Sequence, residues 1–156
     1  MQRWLLVIPR LYLGTIFLVA AVSKITAPGG FEKALPRFLQ VVALTQAPQW
    51  YQAFVQNVVM PHAGLFAALV IAGELCVGIA MLLGIGTRFA SVIAVVLLAN
   101  YLTAKGMPIW APASNDTADI VLALLVGAGA AGHAYGFDGL IQSRLARARL
   151  QSGSAN

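Results

Sequence analysis

The charged residues of this chain stand singly, and between them run apolar stretches long enough to cross a membrane. About 20 such residues make a helix about 30 Å long, the thickness of a bilayer's hydrocarbon core. The first stretch, WLLVIPRLYLGTIFLVAAVS, runs from Trp4 past Arg10 to Ser23. The second covers 63–84, the third 89–104 and the fourth 118–137. Four spans are therefore expected.

Composition agrees. Of 156 residues, 60% are hydrophobic and 10% charged, whereas soluble domains average about 45–50% and about 25%. Too little polar surface is left to clothe a water-facing shell, which excludes an ordinary cytosolic domain, a disordered chain and a nucleic-acid binder. The net charge of +5 reads as topology, because the bases sit at segment ends. The expected architecture is all-α: an integral membrane antiparallel four-helix bundle over residues 1–143, with a basic, amphipathic, partly disordered cytoplasmic tail over 144–156.

The first stretch also has features of a signal peptide, with Arg3 ahead of an apolar run that ends in small residues. Arg10 interrupts that run, and a retained helix is the preferred reading. An even number of spans places both termini in one compartment. Arg3, Arg88, Arg144, Arg147 and Arg149 on the terminal side outnumber Lys24, Lys33, Arg37 and Lys105 on the other, which predicts cytoplasmic termini.

Residues 25–62 form the one long connection. Phe31, Leu35, Phe38 and Leu39, then Trp50, Tyr51, Phe54, Val55 and Val58, recur at helical spacing between prolines 28, 36, 48 and 61. Two short interfacial helices between the first and second spans are expected. Their aromatic residues, with Tyr101 and Trp110, would form one aromatic belt, and Trp4 with Tyr135 the opposite one.

Two ionisable residues lie inside the spans, where a charge costs a few kcal/mol even on insertion scales. They are Arg10 and Glu74. One reading makes them a structural ion pair locking the first span to the second; the other makes Glu74 the base of a proton or quinone site. Arg10, Gly14, Phe17, Ala21 and Lys24 share one face of the first helix, and Asp116, Asp119, Ala123, Val126, Ala130 and His133 one face of the fourth. At the end away from the termini gather Lys24, His62, Asn100, Lys105, Asn115, Asp116 and Asp119. Two lysines there could hold a small anion, and Asp or Asn could hydrogen-bond a quinone. The alternative is ordinary snorkelling charge with a helix N-cap at Asn115, Asp116 or Thr117.

Cys76 is the single cysteine, so the chain alone cannot relay disulfides, and it is expected to pack as a small apolar residue. His62 and His133 fall near opposite faces, against haem ligation. Flavin, nucleotide and metal sites lack sequence support.

The runs RLYLGTIFLVAAVSKITAPGGF, GELCVGIAMLLGIGTRFAS and NYLTAKG, with ND and GAGAAGHAYGFDGL after them, resemble the DoxX/DoxD family of small four-helix membrane proteins over about residues 10 to 141. The matching positions are Arg10, Lys24, Glu74, Arg88, Asn100 and Lys105. DoxD-like members are the membrane subunit of a thiosulfate:quinone oxidoreductase that works with a DoxA partner, while many DoxX-like members have no settled activity. The resemblance implies an oxidoreductase subunit passing electrons from a thiosulfate-like compound to quinone. Glu74 and Arg10 would be catalytic, and Lys24, Asn100, Lys105 and Asp119 would bind substrate or quinone. A non-catalytic accessory or assembly subunit of a larger membrane redox complex is the alternative, since no DoxA-like segment is fused here. Quinone is the expected electron acceptor, with no haem, flavin or metal on this chain. The expected partners are the lipid bilayer, another membrane or periplasmic subunit, and a second copy in a homo-oligomer, with no nucleic acid. The expected location is a bacterial or archaeal cytoplasmic membrane.

Overall fold

The structure, a computed structural model, describes residues 3–108, 110 and 114–129, and among these every regular element is a helix. A 3₁₀ turn over Arg3–Leu6 leads into α1 (Val7–Ile25). Next come α2 (Phe31–Phe38), a π-helical segment Leu39–Ala43 and α3 (Leu44–Gln46). After the bend at Ala47 and Pro48, α4 (Gln49–Phe54) continues through a π-helical segment Val55–Val59 and a 3₁₀ turn Met60–His62 into α5 (Ala63–Leu83). The helices α6 (Thr87–Ala104) and α7 (Asn115–Ala128) complete the described chain.

Three helical stretches are long and apolar enough to cross a membrane: Val7–Ile25, Gln49–Leu83 and Thr87–Ala104. The expected fourth span is helical over the 14 residues of α7, and its continuation to Phe137 lies outside the described residues. So do the tail 144–156, His133 and Tyr135. Four helices close a ring in which α1 packs on α5 and α7, and α6 on the same two.

The helices meet through small residues. Gly14 lies against Leu82, and Gly78 against Leu18 so closely that a Cβ there would stand 2.9 Å from the Leu18 backbone nitrogen. Close approach of this kind replaces the hydrophobic drive that lipid cannot supply. Leu13, Phe17, Val77, Met81, Ala94, Leu98, Ala123 and Val126 fill the ring's interior. Large apolar residues such as Val19, Leu65, Phe89, Val92 and Val96 point outward, where lipid accommodates them.

The two short interfacial helices need correction. Segment 31–46 is one helical run with a π-helical middle, but segment 49–62 is continuous with α5, giving a 35-residue rod. Pro61 is tolerated because it falls at the start of a new helical turn, where its missing N–H is not needed. The wider turn at Val55–Val59 absorbs the register change just before it. Leu35, Leu39, Ala43, Tyr51, Val55, Val59, Ala67 and Ala104 form a second core that ties this cap to α5 and α6. Cys76 is also unlike the expectation, for it faces outward from α5.

Candidate functional site

The α1/α5 register decides the partner of Glu74. With Gly14 beside Leu82 and Gly78 beside Leu18, the antiparallel alignment puts Glu74 level with Val22. Arg10 lies about 12 residues, or about 18 Å, farther along the axis, beyond the reach of its side chain. The expected Arg10–Glu74 ion pair is therefore absent. Lys24, in the last turn of α1, takes its place, because helical side chains lean toward the helix N-terminus and its long stem drops back toward the Glu74 level.

The Lys24 ammonium lies 2.7 Å from Oε1 and 2.8 Å from Oε2 of Glu74. From α6, the Tyr101 hydroxyl donates to Oε1 at 2.7 Å. Three helices thus converge on one carboxylate that is 1% exposed. A buried charge of this kind survives only with close counter-charge and hydrogen bonds. The Lys24 ammonium is also 5.5 Å from the Phe31 ring centre and 5.9 Å from that of Tyr101, within cation–π range. Arg10 is buried near the other end of α1 and is held by interactions of its own.

Above the Lys24–Glu74–Tyr101 cluster opens a cavity of about 360 Å³, bounded by the cap and by α5 and α6. Lys24, Asn100 and Lys105 line it, as do Tyr51, Tyr101 and Phe31. Tyr51 donates to Asn100 Oδ1 at 2.8 Å, which leaves the amide nitrogen as the donor Asn100 can offer elsewhere. Lys105 pairs with Asp116 at 2.6 Å, so both lysines expected to hold an anion already have carboxylate partners. Gly106 sets this corner: its φ of +64° suits glycine, and a Cβ would overlap the Gln46 carbonyl. Asp116 accepts a further bond from Ser114, which is the actual N-cap of α7, its hydroxyl accepting from the Asp116 backbone N–H.

Asp119 lies elsewhere. It lines a second space, an open cleft of about 160 Å³ between α1, α5, α6 and α7, with Glu74, Tyr101 and Asp116. Tyr12 of α1 lies beside Asp119. Among the residues missed from sequence are Tyr51 and Tyr101 as hydrogen-bond donors, Ser114 as the N-cap of α7, and Tyr12 beside Asp119. Tyr101 follows the buried Leu98 by three residues, a spacing that points it inward. Among the described residues no group of three or more His, Cys, Asp or Glu side chains could hold a metal ion.

The family model of DoxX matches residues 5–106. The chain belongs to the DoxX family. The match runs from the start of α1 through the end of α6, so the DoxX region contains Lys24, Glu74, Asn100, Tyr101 and Lys105, whereas Asp116 and Asp119 lie beyond it. No curated protein and no solved structure matches this DoxX chain.

Proposed function

We propose that this DoxX protein is a quinone-linked redox subunit of the cytoplasmic membrane whose cavity receives the quinone headgroup. The observation that carries this reading is a buried carboxylate, Glu74, held by two donors that themselves line a cavity of ligand size. Lys24 and Lys105 are each matched by a carboxylate, so the cavity suits a neutral, flat, partly apolar ligand better than a small anion. Phe31 and Tyr101 offer ring faces, while the Lys24 ammonium and the Asn100 amide offer donors for carbonyl oxygens.

Quinone reduction consumes two electrons and two protons. In this reading Glu74 handles protons beside the cavity, and a thiosulfate-like reduced sulfur compound supplies the electrons through a partner subunit. Arg10 fixes the far end of α1 and thereby the height of Lys24. The Lys24 end of the bundle faces the exterior and both termini the cytoplasm.

A second reading, a non-catalytic accessory or assembly subunit, has one observation in its favour. A carboxylate satisfied by Lys24 and Tyr101 is also what a purely structural clamp between helices requires.

Native purification in mild detergent, with identification of co-purifying quinone and protein, tests both. Bound quinone lost in Asn100→Leu, together with thiosulfate-dependent reduction of a short-chain quinone abolished in Glu74→Gln, supports the redox subunit. Co-purification with a larger redox complex that keeps its activity in Glu74→Gln supports the accessory role.

A further inference from the structure

Tyr101 is shared by two spaces, and Glu74, which accepts its hydrogen bond, lines the second. On one side is the 360 Å³ cavity, lined by Lys24 and Tyr101. On the other is the open 160 Å³ cleft, lined by Tyr101, by Glu74 itself and by Asp116 and Asp119. The carboxylate that would serve a ligand in the first space is thus reached from the second without passing the ligand.

The cleft is large enough for several waters, since one needs about 15 Å³ and two to four polar partners. Glu74, Tyr101, Asp116 and Asp119 supply partners on its polar side, and Ile16, Phe17, Ala20 and Leu98 form its apolar side, leaving an open cleft. Its two aspartates differ in position. Asp119 is 6% exposed and faces Tyr12 of α1. Asp116 is bonded to Lys105, whose side chain is 37% exposed, so this pair sits at the water-facing rim.

We infer that the cleft is a proton-entry path from Asp116 at the rim through Asp119 and water to Glu74, which touches the ligand cavity only through Tyr101 and the Lys105–Asp116 pair. This inference rests on the quinone reading for the fate of the proton but not for the path. For each quinone reduced, two electrons come from the reduced sulfur donor and two protons pass one at a time. Each proton leaves bulk water at the rim, is carried by Asp119 and cleft water, and protonates Glu74. From there it goes to the reduced headgroup, restoring the carboxylate. The ionisable groups around this path are Tyr12 and Lys24 from α1, Glu74 from α5, Tyr101 and Lys105 at α6, and Asp116 and Asp119 from α7. Asp119 is a proton-relay residue, and it touches no ligand.

Two measurements decide it. The first does not depend on turnover. In a Cys76→Ala background, Ala20→Cys should react with a small charged thiol reagent applied in water, whereas Ala94→Cys, buried in the dry core, should not. An unreactive Ala20→Cys in folded protein overturns the hydrated cleft. The second follows quinone reduction: Asp119→Asn should lower the rate roughly 100-fold, the lower end for a positioned proton carrier, with quinone affinity unchanged, and Asp119→Glu should restore it. Full activity in Asp119→Asn overturns the path. Should the wild-type protein reduce no quinone, the quinone reading fails alone. The path is then judged by time-resolved infrared detection of Glu74 protonation after a drop in pH, assigned with Glu74→Gln. That protonation should slow in Asp119→Asn, and an unchanged rate refutes the inference.

Discussion

The Lys24 ammonium bridges both oxygens of the Glu74 carboxylate, at 2.7 and 2.8 Å, across 50 residues of sequence. The carboxylate is 1% exposed and the lysine 21%, so the two ends of the pair lose unequal amounts of water. Removing the lysine strands a buried charge, whereas removing the carboxylate leaves an ammonium that can turn toward water.

Lys24→Met should therefore destabilise the protein by about 3–5 kcal/mol, the cost of breaking a buried pair, and Glu74→Gln should cost less. The double mutant should be more stable than the sum of the singles implies. Thermal unfolding in detergent of all four proteins measures the coupling, and strict additivity would show that the pair does not act as a unit.

Tyr101→Phe removes one donor from Glu74 Oε1 and keeps the ring. The expected loss is about 1–3 kcal/mol, since the bond is to a charged acceptor. A Tyr101→Phe protein with unchanged thermal stability would mean that water replaces the hydroxyl.

Gly78→Ala places a Cβ 2.9 Å from the Leu18 backbone, which cannot move without shifting α1. Overpacking of this kind costs about 1–3 kcal/mol. Gly86→Ala is the comparison, because its Cβ meets nothing within 4 Å and its cost comes only from a φ of +57°. Equal melting temperatures for wild type and Gly78→Ala would rule out the tight α1/α5 contact.

Lys105→Gln should barely change stability, because the pair with Asp116 is partly exposed and such pairs contribute about 0–1 kcal/mol. Its small effect should vanish at high salt. A loss as large as that of Lys24→Met would mark the rim pair as structural.

Topology is checked with single cysteines in a Cys76→Ala background. Gln46→Cys and Ile85→Cys occupy opposite ends of the bundle, and an impermeant reagent added to cells should label only the first. Labelling of Ile85→Cys alone would invert the orientation.

Three of the expected spans were legible because charge and hydropathy act locally. The inward stripe of α1 was legible too: Arg10, Gly14, Phe17 and Ala21 are all buried. That stripe already contained Lys24, yet depth counted from span ends favoured Arg10 as the partner of Glu74. What decides between them is the register of α1 on α5, set by Gly14 and Gly78, and no single segment encodes it. By spacing alone, prolines 48 and 61 bound a separate helix. Only Pro48 does so, because Pro61 falls where a new turn begins. Tyr51 and Tyr101 look like belt aromatics in the sequence, since their acceptors, Asn100 and Glu74, come from other helices. Asp119 shared an end of the bundle with the lysines but not a cavity, a distinction that requires three-dimensional packing.

The pairing of each cavity cation with a carboxylate has an electrical consequence. A neutral headgroup entering that cavity displaces no charge through the membrane's field, so its binding is indifferent to voltage. A proton travelling to or from Glu74 is not, for a unit charge crossing the whole field gains or loses about 2.3 kcal/mol per 100 mV. Glu74 lies in the middle of α5, so a proton reaching it from one side crosses only a fraction of that drop. The energised membrane would therefore act on the protonation step and leave occupancy of the cavity untouched.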